Sequence, residues 1–199
     1  MIIIDNFIQD EDLLNRIQND EEFWKPGYSW YDGWWKEGVT TLRHELIKAI
    51  WGEDSPHASI QVGGFEHWTG DFDETAVHEV LGLEWSLKLH FDKDESKWQE
   101  TKQIIGPKVG TVFYPAREID EMEGGELWYW ESFPPELANE DGTIYLPPEQ
   151  AEIIKPKFNR LIIFDAKCLH GVAKIKKGRR RAIAINLWDE APTEFKKGY

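Results

Sequence analysis

Residues 83–92 read LEWSLKLHFD and alternate without a break. Leu83, Trp85, Leu87, Leu89 and Phe91 fall on one face, and Glu84, Ser86, Lys88, His90 and Asp92 on the other. A period of two is that of a β-strand, whose successive side chains leave opposite sides of a sheet. The apolar set is expected to bury against other elements. The polar set then faces a cavity, with His90 and Asp92 on the same side.

Working outward, other stretches repeat the strand pattern. Residues 109–114 form an apolar run ended by Pro115. In EGGELWYW, Gly124 and Gly125 predict a turn and residues 126–130 a strand. Residues 159–165, NRLIIFD, are short and strongly apolar, and Arg180–Trp188 forms the last strand. The N-terminal part reads differently. Residues 1–4 suit a short strand, and residues 10–19 a helix with acidic residues in its first turn and Leu13, Leu14 and Ile17 on one side. Thr40 or Thr41 can cap a second helix running to Trp51, in which Leu42, Leu46, Ile47 and Ile50 recur at helical spacing. Helices first and many short strands later predict an α+β, mainly β fold: N-terminal helices packed on one sheet of an antiparallel double-sheet jelly roll, as a single domain over residues 1–199.

A distant second histidine, His170, follows the apolar strand in FDAKCLHGVAKIKKGRRRAIAINLW. Two histidines and a carboxylate on one face of an iron ion make a 2-His-1-carboxylate triad, which leaves positions open for cosubstrate and oxygen. His90, Asp92 and His170 are the candidates. Taken alone, His90 and Asp92 suit a half-buried histidine and a turn residue equally well. The arginines after His170 tip the balance. A buried arginine opening a strand can hold a carboxylate through paired charge-assisted hydrogen bonds. Parity selects among Arg179, Arg180 and Arg181. Arg180 shares its face with Ala182, Ala184 and Asn186, small residues that leave room for a ligand, whereas Arg181 shares one with Ile183, Ile185 and Leu187. Arg180 is favoured, with Arg179 as the competing choice. Lys174, Lys176 and Lys177 read as a solvated hairpin tip. His44, His57, His67 and His78 read as structural or surface residues.

Composition narrows the function classes. The formal net charge is −14 at pH 7, which opposes non-specific binding to nucleic acid and to anionic membranes. No apolar stretch nears the ~18 residues of a membrane span. The opening MIIIDNFIQDED lacks a basic region and a long apolar run, so no signal peptide is expected, and the lone Cys168 suits a reducing compartment. A cytoplasmic location is the expectation.

The motifs HFD, EGGEL, RLIIFDAKCLHGV and GRR, in this order, together with the opening IIIDNFIQDEDLLNRI, resemble the Fe(II)/2-oxoglutarate-dependent dioxygenases, and among them the prolyl 4-hydroxylase-like branch. The compact, Trp-rich chain also looks like small phage or bacterial members. The resemblance implies that His90, Asp92 and His170 bind Fe(II) and that Arg180 pairs with the distal carboxylate of 2-oxoglutarate. It implies that Tyr114 and Leu127 line the cosubstrate pocket. It further implies O2 as the second cosubstrate, ascorbate as a reductant, and hydroxylation of a C–H bond with release of succinate and CO2. The chain departs from the branch where a tyrosine often precedes the HxD motif, since Trp85 and Leu87 stand there, and where YLN is replaced by Tyr114-Pro115-Ala116.

Most of the 11 tryptophans are expected in the core. Trp30, Trp34 and Trp35 lie in the aromatic, glycine-containing residues 23–35, with no regular period, and are candidates for a wall against a proline ring or a peptide. Trp128, with Trp130, is a candidate for the mouth of the site. The expected partner is a proline-containing peptide or protein. The same chemistry on a free amino acid, a nucleobase or another small molecule is the alternative, and a jelly-roll protein binding peptide or sugar is the non-enzymatic one. Oligomeric state is not legible.

Overall fold

The structure, a computed structural model, describes residues 1–55, 60, 62–80, 82–131 and 148–196. His57 lies outside them. Along the chain, β1 (Ile2–Ile4) precedes α1 (Glu11–Asn19), followed by β2 (Tyr28–Tyr31), the short α2 (Trp34–Glu37) and α3 (Leu42–Trp51). Then come β3 (Gly64–Phe72), β4 (His78–Val80), β5 (Leu83–His90), α4 (Glu95–Thr101) and β6 (Val109–Phe113). The chain continues through β7 (Glu123–Gly124), β8 (Leu127–Trp130), β9 (Glu152–Ile154), β10 (Leu161–Phe164) and β11 (Leu169–Ala173). It ends with β12 (Ile175–Lys177), β13 (Arg180–Trp188) and α5 (Thr193–Lys196).

The strands form two main antiparallel sheets, ordered β1-β10-β6-β13-β3-β2 and β4-β5-β11-β8-β9, with β12 and β7 paired separately. This is the expected double-sheet architecture. The helices cover the outer face of the six-stranded sheet. There Leu14 and Ile17 of α1 and Leu46, Ile47 and Ile50 of α3 pack with Phe65, Phe113, Ile183 and Ile185. These helical side chains are at most 1% exposed, so each contributes roughly 1.5–3 kcal/mol of burial. Local chemistry sets where the helices start. Asp10 accepts the Leu13 N–H at 3.0 Å, and Thr41, rather than Thr40, accepts that of His44 at 3.1 Å.

A second core lies between the sheets, where Val112, Ile162, Phe164 and Ala182 meet Leu127, Tyr129 and Ile154. Gly124 and Gly125 both hold positive φ, at 80° and 69°, which turns the chain from β7 toward β8. Asn159 (φ 57°) ties the N-terminal segment to this frame. Its side chain accepts from the Ile8 N–H at 2.9 Å and donates to the Ile8 carbonyl at 2.8 Å.

The alternation of residues 83–92 does not survive intact in β5. Ala173 pairs with Trp85, Val172 with Leu87 and His170 with His90, so β5 carries one extra residue relative to β11 at each of two steps. Such bulges switch which side chains share a face. Trp85 and Leu89 pack outward with Trp130 and Leu169, but Leu87 turns inward and lines the same cavity as His90 and Asp92. Ser86 is buried and accepts the Ile175 N–H at 3.0 Å.

Candidate active site

His90 closes β5, and His170 lies directly opposite it on β11, with ring centroids 4.3 Å apart. Asp92 stands just beyond β5, where its N–H donates to the Ala166 carbonyl at 2.9 Å. This brings His90 Nε2 to 3.4 Å from Asp92 Oδ1, and His170 Nε2 to 3.7 Å from Asp92 Oδ2. One ligand atom from each residue lies within 4.8 Å of the others. Octahedral ligands at about 2.1 Å from an ion stand about 3 Å from one another, so the three can converge on one ion with small adjustments.

The hydrogen bonds fix the imidazoles for that task. His90 Nδ1 is 2.7 Å from the Lys88 carbonyl, and His170 Nδ1 is 2.9 Å from the Cys168 carbonyl. A carbonyl only accepts, so each Nδ1 carries the proton and each neutral ring presents an Nε2 lone pair to the cluster. Electrostatics agree for His170 but not for His90, whose ring Asp92 draws toward the charged form. Burial pushes His170 below the usual histidine value, against the pull of Asp92. Burial also opposes charge on His90, but the Asp92 carboxylate and the Lys88 carbonyl outweigh it and raise the ring. For Asp92, burial favours the neutral acid. Hydrogen bonding to His90, the nearby His170 and the Asn186 amide outweigh it and hold the group below the ordinary carboxylate range.

Across the cavity, β13 presents Arg180, Ala182, Ala184 and Asn186, as parity predicts. Arg180 is 4% exposed. Its Nη2 donates to the Tyr114 hydroxyl at 3.0 Å, and its guanidinium sits 5.1 Å from the centre of that ring. Its Nε is buried with no hydrogen-bond partner among the described residues. A buried guanidinium N–H without an acceptor is costly, and the oxygen of a carboxylate would satisfy it. The neighbouring arginines are engaged elsewhere. Arg179 forms a two-point pair with Asp71, and Arg181 bonds Asp71 and Glu118 while covering Trp24. Leu127 lines the cavity beside Val112, Phe164 and Val172. The three-ligand cluster and the unpaired guanidinium thus suit an Fe(II) ion and a dicarboxylate.

The model of the 2OG-Fe(II) oxygenase superfamily matches residues 76–188, more than half the chain, including His90, Asp92, Tyr114, Leu127, His170 and Arg180. The chain belongs to that superfamily. The oxygenase is therefore an oxidoreductase whose metal is Fe(II) and whose cosubstrates are 2-oxoglutarate and O2. A prolyl-4-hydroxylase from Pseudomonas putida shares its fold, with a TM-score of 0.54 at 13% identity over 96% of this chain and 92% of the other. A 2OG-Fe(II) family oxidoreductase from Burkholderia pseudomallei does so with a TM-score of 0.55 at 10% identity, over 95% and 84%. No curated protein matches.

The tryptophans of this oxygenase are placed differently from expectation. Trp34 and Trp35 pack against Phe65 and line a groove with Trp51, Ile60 and Leu187, on the helix-covered side of the six-stranded sheet. Trp30 shares the cavity-facing side of β2 and β3 but packs at the sheet edge beside Phe195, its indole N–H donating to Asp32. Trp128 faces outward with Trp85 and Trp130, because Leu127 and Tyr129 take the inward positions of β8. Among the described residues, the tryptophan that does line the cavity is Trp68, its ring tilted at 35° to that of the exposed Tyr28 with centroids 5.0 Å apart. Sequence reading missed both. Glu66 was missed too. It is buried on the same face of β3, and burial, with Asp92 nearby, pushes it up to about 7. Among the other histidines, His44 stacks on Tyr31, His67 is buried under the helices, and His78 is exposed on β4.

Proposed function

We propose that this oxygenase hydroxylates a C–H bond of a prolyl residue in a peptide or protein, releasing succinate and CO2. In this reading His90, Asp92 and His170 hold the iron. Arg180, steadied by Tyr114, takes the distal carboxylate of 2-oxoglutarate, and Leu127 packs against its chain. The observation that carries it is the unpartnered Arg180 Nε in the same cavity as the three-ligand cluster. When bound, iron and 2-oxoglutarate supply the oxidising power: O2 is split so that one oxygen atom enters succinate and the other the product. The chain's residues bind, orient and keep the cavity dry. Ala182 and Ala184 leave space that larger side chains would fill, and Phe164, Val112 and Val172 exclude water.

The prolyl substrate is supported by the fold shared with the Pseudomonas putida prolyl-4-hydroxylase and by the aromatic surface at the cavity. The Tyr28–Trp68 pair offers flat faces on which a proline ring packs without hydrogen-bonding demands. The net charge of −14 favours basic or neutral peptides over acidic ones. The test incubates proline-rich peptides, Lys/Arg-rich peptides and pools of amino acids and nucleobases with enzyme, Fe(II) and 2-oxoglutarate. Succinate release and a one-oxygen mass gain on a prolyl residue are the expected result, reduced by Trp68→Ala. Stimulation by a free metabolite and by no peptide refutes the prolyl reading and leaves the metal and cosubstrate assignments in place.

A further inference from the structure

Glu66 is 7% exposed, and no lysine, arginine or histidine forms an ion pair with it among the described residues. A carboxyl buried in this way is costly unless hydrogen bonds hold it. One of its oxygens, Oε2, accepts two: from the Trp188 indole N–H at 2.9 Å and from Asn186 Nδ2 at 3.2 Å. The same Asn186 nitrogen stands 3.0 Å from Asp92 Oδ2. An amide nitrogen carries two hydrogens, and here each has a carboxyl oxygen to reach. Turned over, the amide would set its own oxygen against two acceptors, so Glu66 and Asp92 together fix which way Asn186 points.

From this geometry we infer that Glu66 and Asn186 are positioning residues that hold the Asp92 carboxylate for metal through the chain Trp188–Glu66–Asn186–Asp92. All three supporting residues sit on adjacent strands, with Asn186 paired to Glu66 in the register of β13 and β3. The strut therefore comes from the six-stranded sheet, whereas both histidines come from the other one. It ties the third ligand of the cluster to the opposite wall of the cavity. It also explains why an asparagine interrupts the small-residue face of β13, and why a carboxyl is buried on β3 with no cation. Hydrogen bonds to a ligating carboxylate of this kind typically change metal affinity by about 10- to 100-fold when removed.

The inference rests on His90, Asp92 and His170 being the metal ligands. Its test is Mn(II) titration calorimetry, with Mn(II) as a redox-silent stand-in, on the full chain and on Asn186→Ala, Glu66→Leu and Glu66→Gln. The Gln side chain keeps one oxygen that can accept from both Trp188 and Asn186, so it preserves the strut, whereas Leu removes it. Asn186→Ala and Glu66→Leu should weaken Mn(II) binding by about 10- to 100-fold. Glu66→Gln should stay within roughly threefold of wild type, a rescue that volume-filling alone would not give. The Mn(II) electron paramagnetic resonance signal should broaden in the first two variants and not in the third. Should Glu66→Leu fail to fold, Asn186→Ala and Glu66→Gln carry the comparison. Wild-type affinity in Asn186→Ala, or a loss in Glu66→Gln equal to that in Asn186→Ala, overturns the inference. A wild-type protein that takes up no Mn(II) overturns the ligand assignment instead.

Discussion

Replacing Arg180 with leucine should move stability and cosubstrate affinity independently. The guanidinium is 4% exposed, and among the described residues its Nε has no acceptor and its one side-chain partner is the Tyr114 hydroxyl. Without 2-oxoglutarate it is a buried charge with no counter-ion in contact among the described residues. Leucine fills much of the volume and relieves the stranded N–H, worth about 1–3 kcal/mol, while the lost bond to Tyr114 costs about 1 kcal/mol. The melting temperature of the cosubstrate-free protein should stay level or rise. Binding should go the other way. Truncating one partner of a buried charge pair costs about 2–5 kcal/mol, so the 2-oxoglutarate dissociation constant should rise from roughly 30-fold to several thousand-fold. Calorimetry of 2-oxoglutarate into Mn(II)-loaded protein reads this directly. Thermal unfolding reads it again, because ligand stabilisation that depends on affinity should vanish in the variant. Arg179→Leu is the control. Its pair with Asp71 has a side chain 55% exposed and is worth about 0–1 kcal/mol, with no effect on the cosubstrate. Wild-type 2-oxoglutarate affinity in Arg180→Leu, or its loss in Arg179→Leu, would show that Arg180 does not hold the cosubstrate.

Other consequences concern stability. Asn159→Ala removes two buried hydrogen bonds to Ile8 and places alanine at positive φ, so chemical denaturation should show a loss of about 2–4 kcal/mol. Thr41→Ala removes the cap of α3 and should cost about 1 kcal/mol in the same measurement. Glu66 is raised to about 7, so its buried charge destabilises the metal-free fold. Its contribution is intact below the unfolded value near 4.5 and is lost as pH climbs to about 7, by on the order of 3 kcal/mol. Unfolding curves of metal-free wild type and Glu66→Gln should therefore diverge across that window, in favour of Gln. Parallel curves would show that Glu66 does not titrate there.

What the sequence revealed depended on how local the determining interactions are. Caps, helical spacing and the parity of β13 are properties of one segment. The Thr40 or Thr41 cap, the apolar face of α3 and the inward Arg180 could therefore be read directly, whereas Asp10, read as the first residue of its helix, is the cap. The pairing of His90 with His170 needed a match across separate elements, which the motif order supplied. The bulges in β5 were hidden, because register is decided by the partner strand β11. β3 was hidden as well. It buries Glu66, His67 and Thr69, so no apolar alternation marks it, and Trp68 went with it. α4 buries none of its residues and is set by the Asp94 cap, a signal too weak to read beside the HxD motif. The placement of Trp34 and Trp35 followed from which sheet face the helices cover, and no local pattern encodes that.

The central claim is that His90, Asp92 and His170 form one iron site in an oxygenase dependent on 2-oxoglutarate. Titrating Mn(II) into wild type and into His90→Ala, Asp92→Ala and His170→Ala tests it most directly. One ion per chain is expected in the wild type and a large loss of affinity in each variant, with each protein still folded by circular dichroism. Undiminished Mn(II) affinity in all three variants would contradict it.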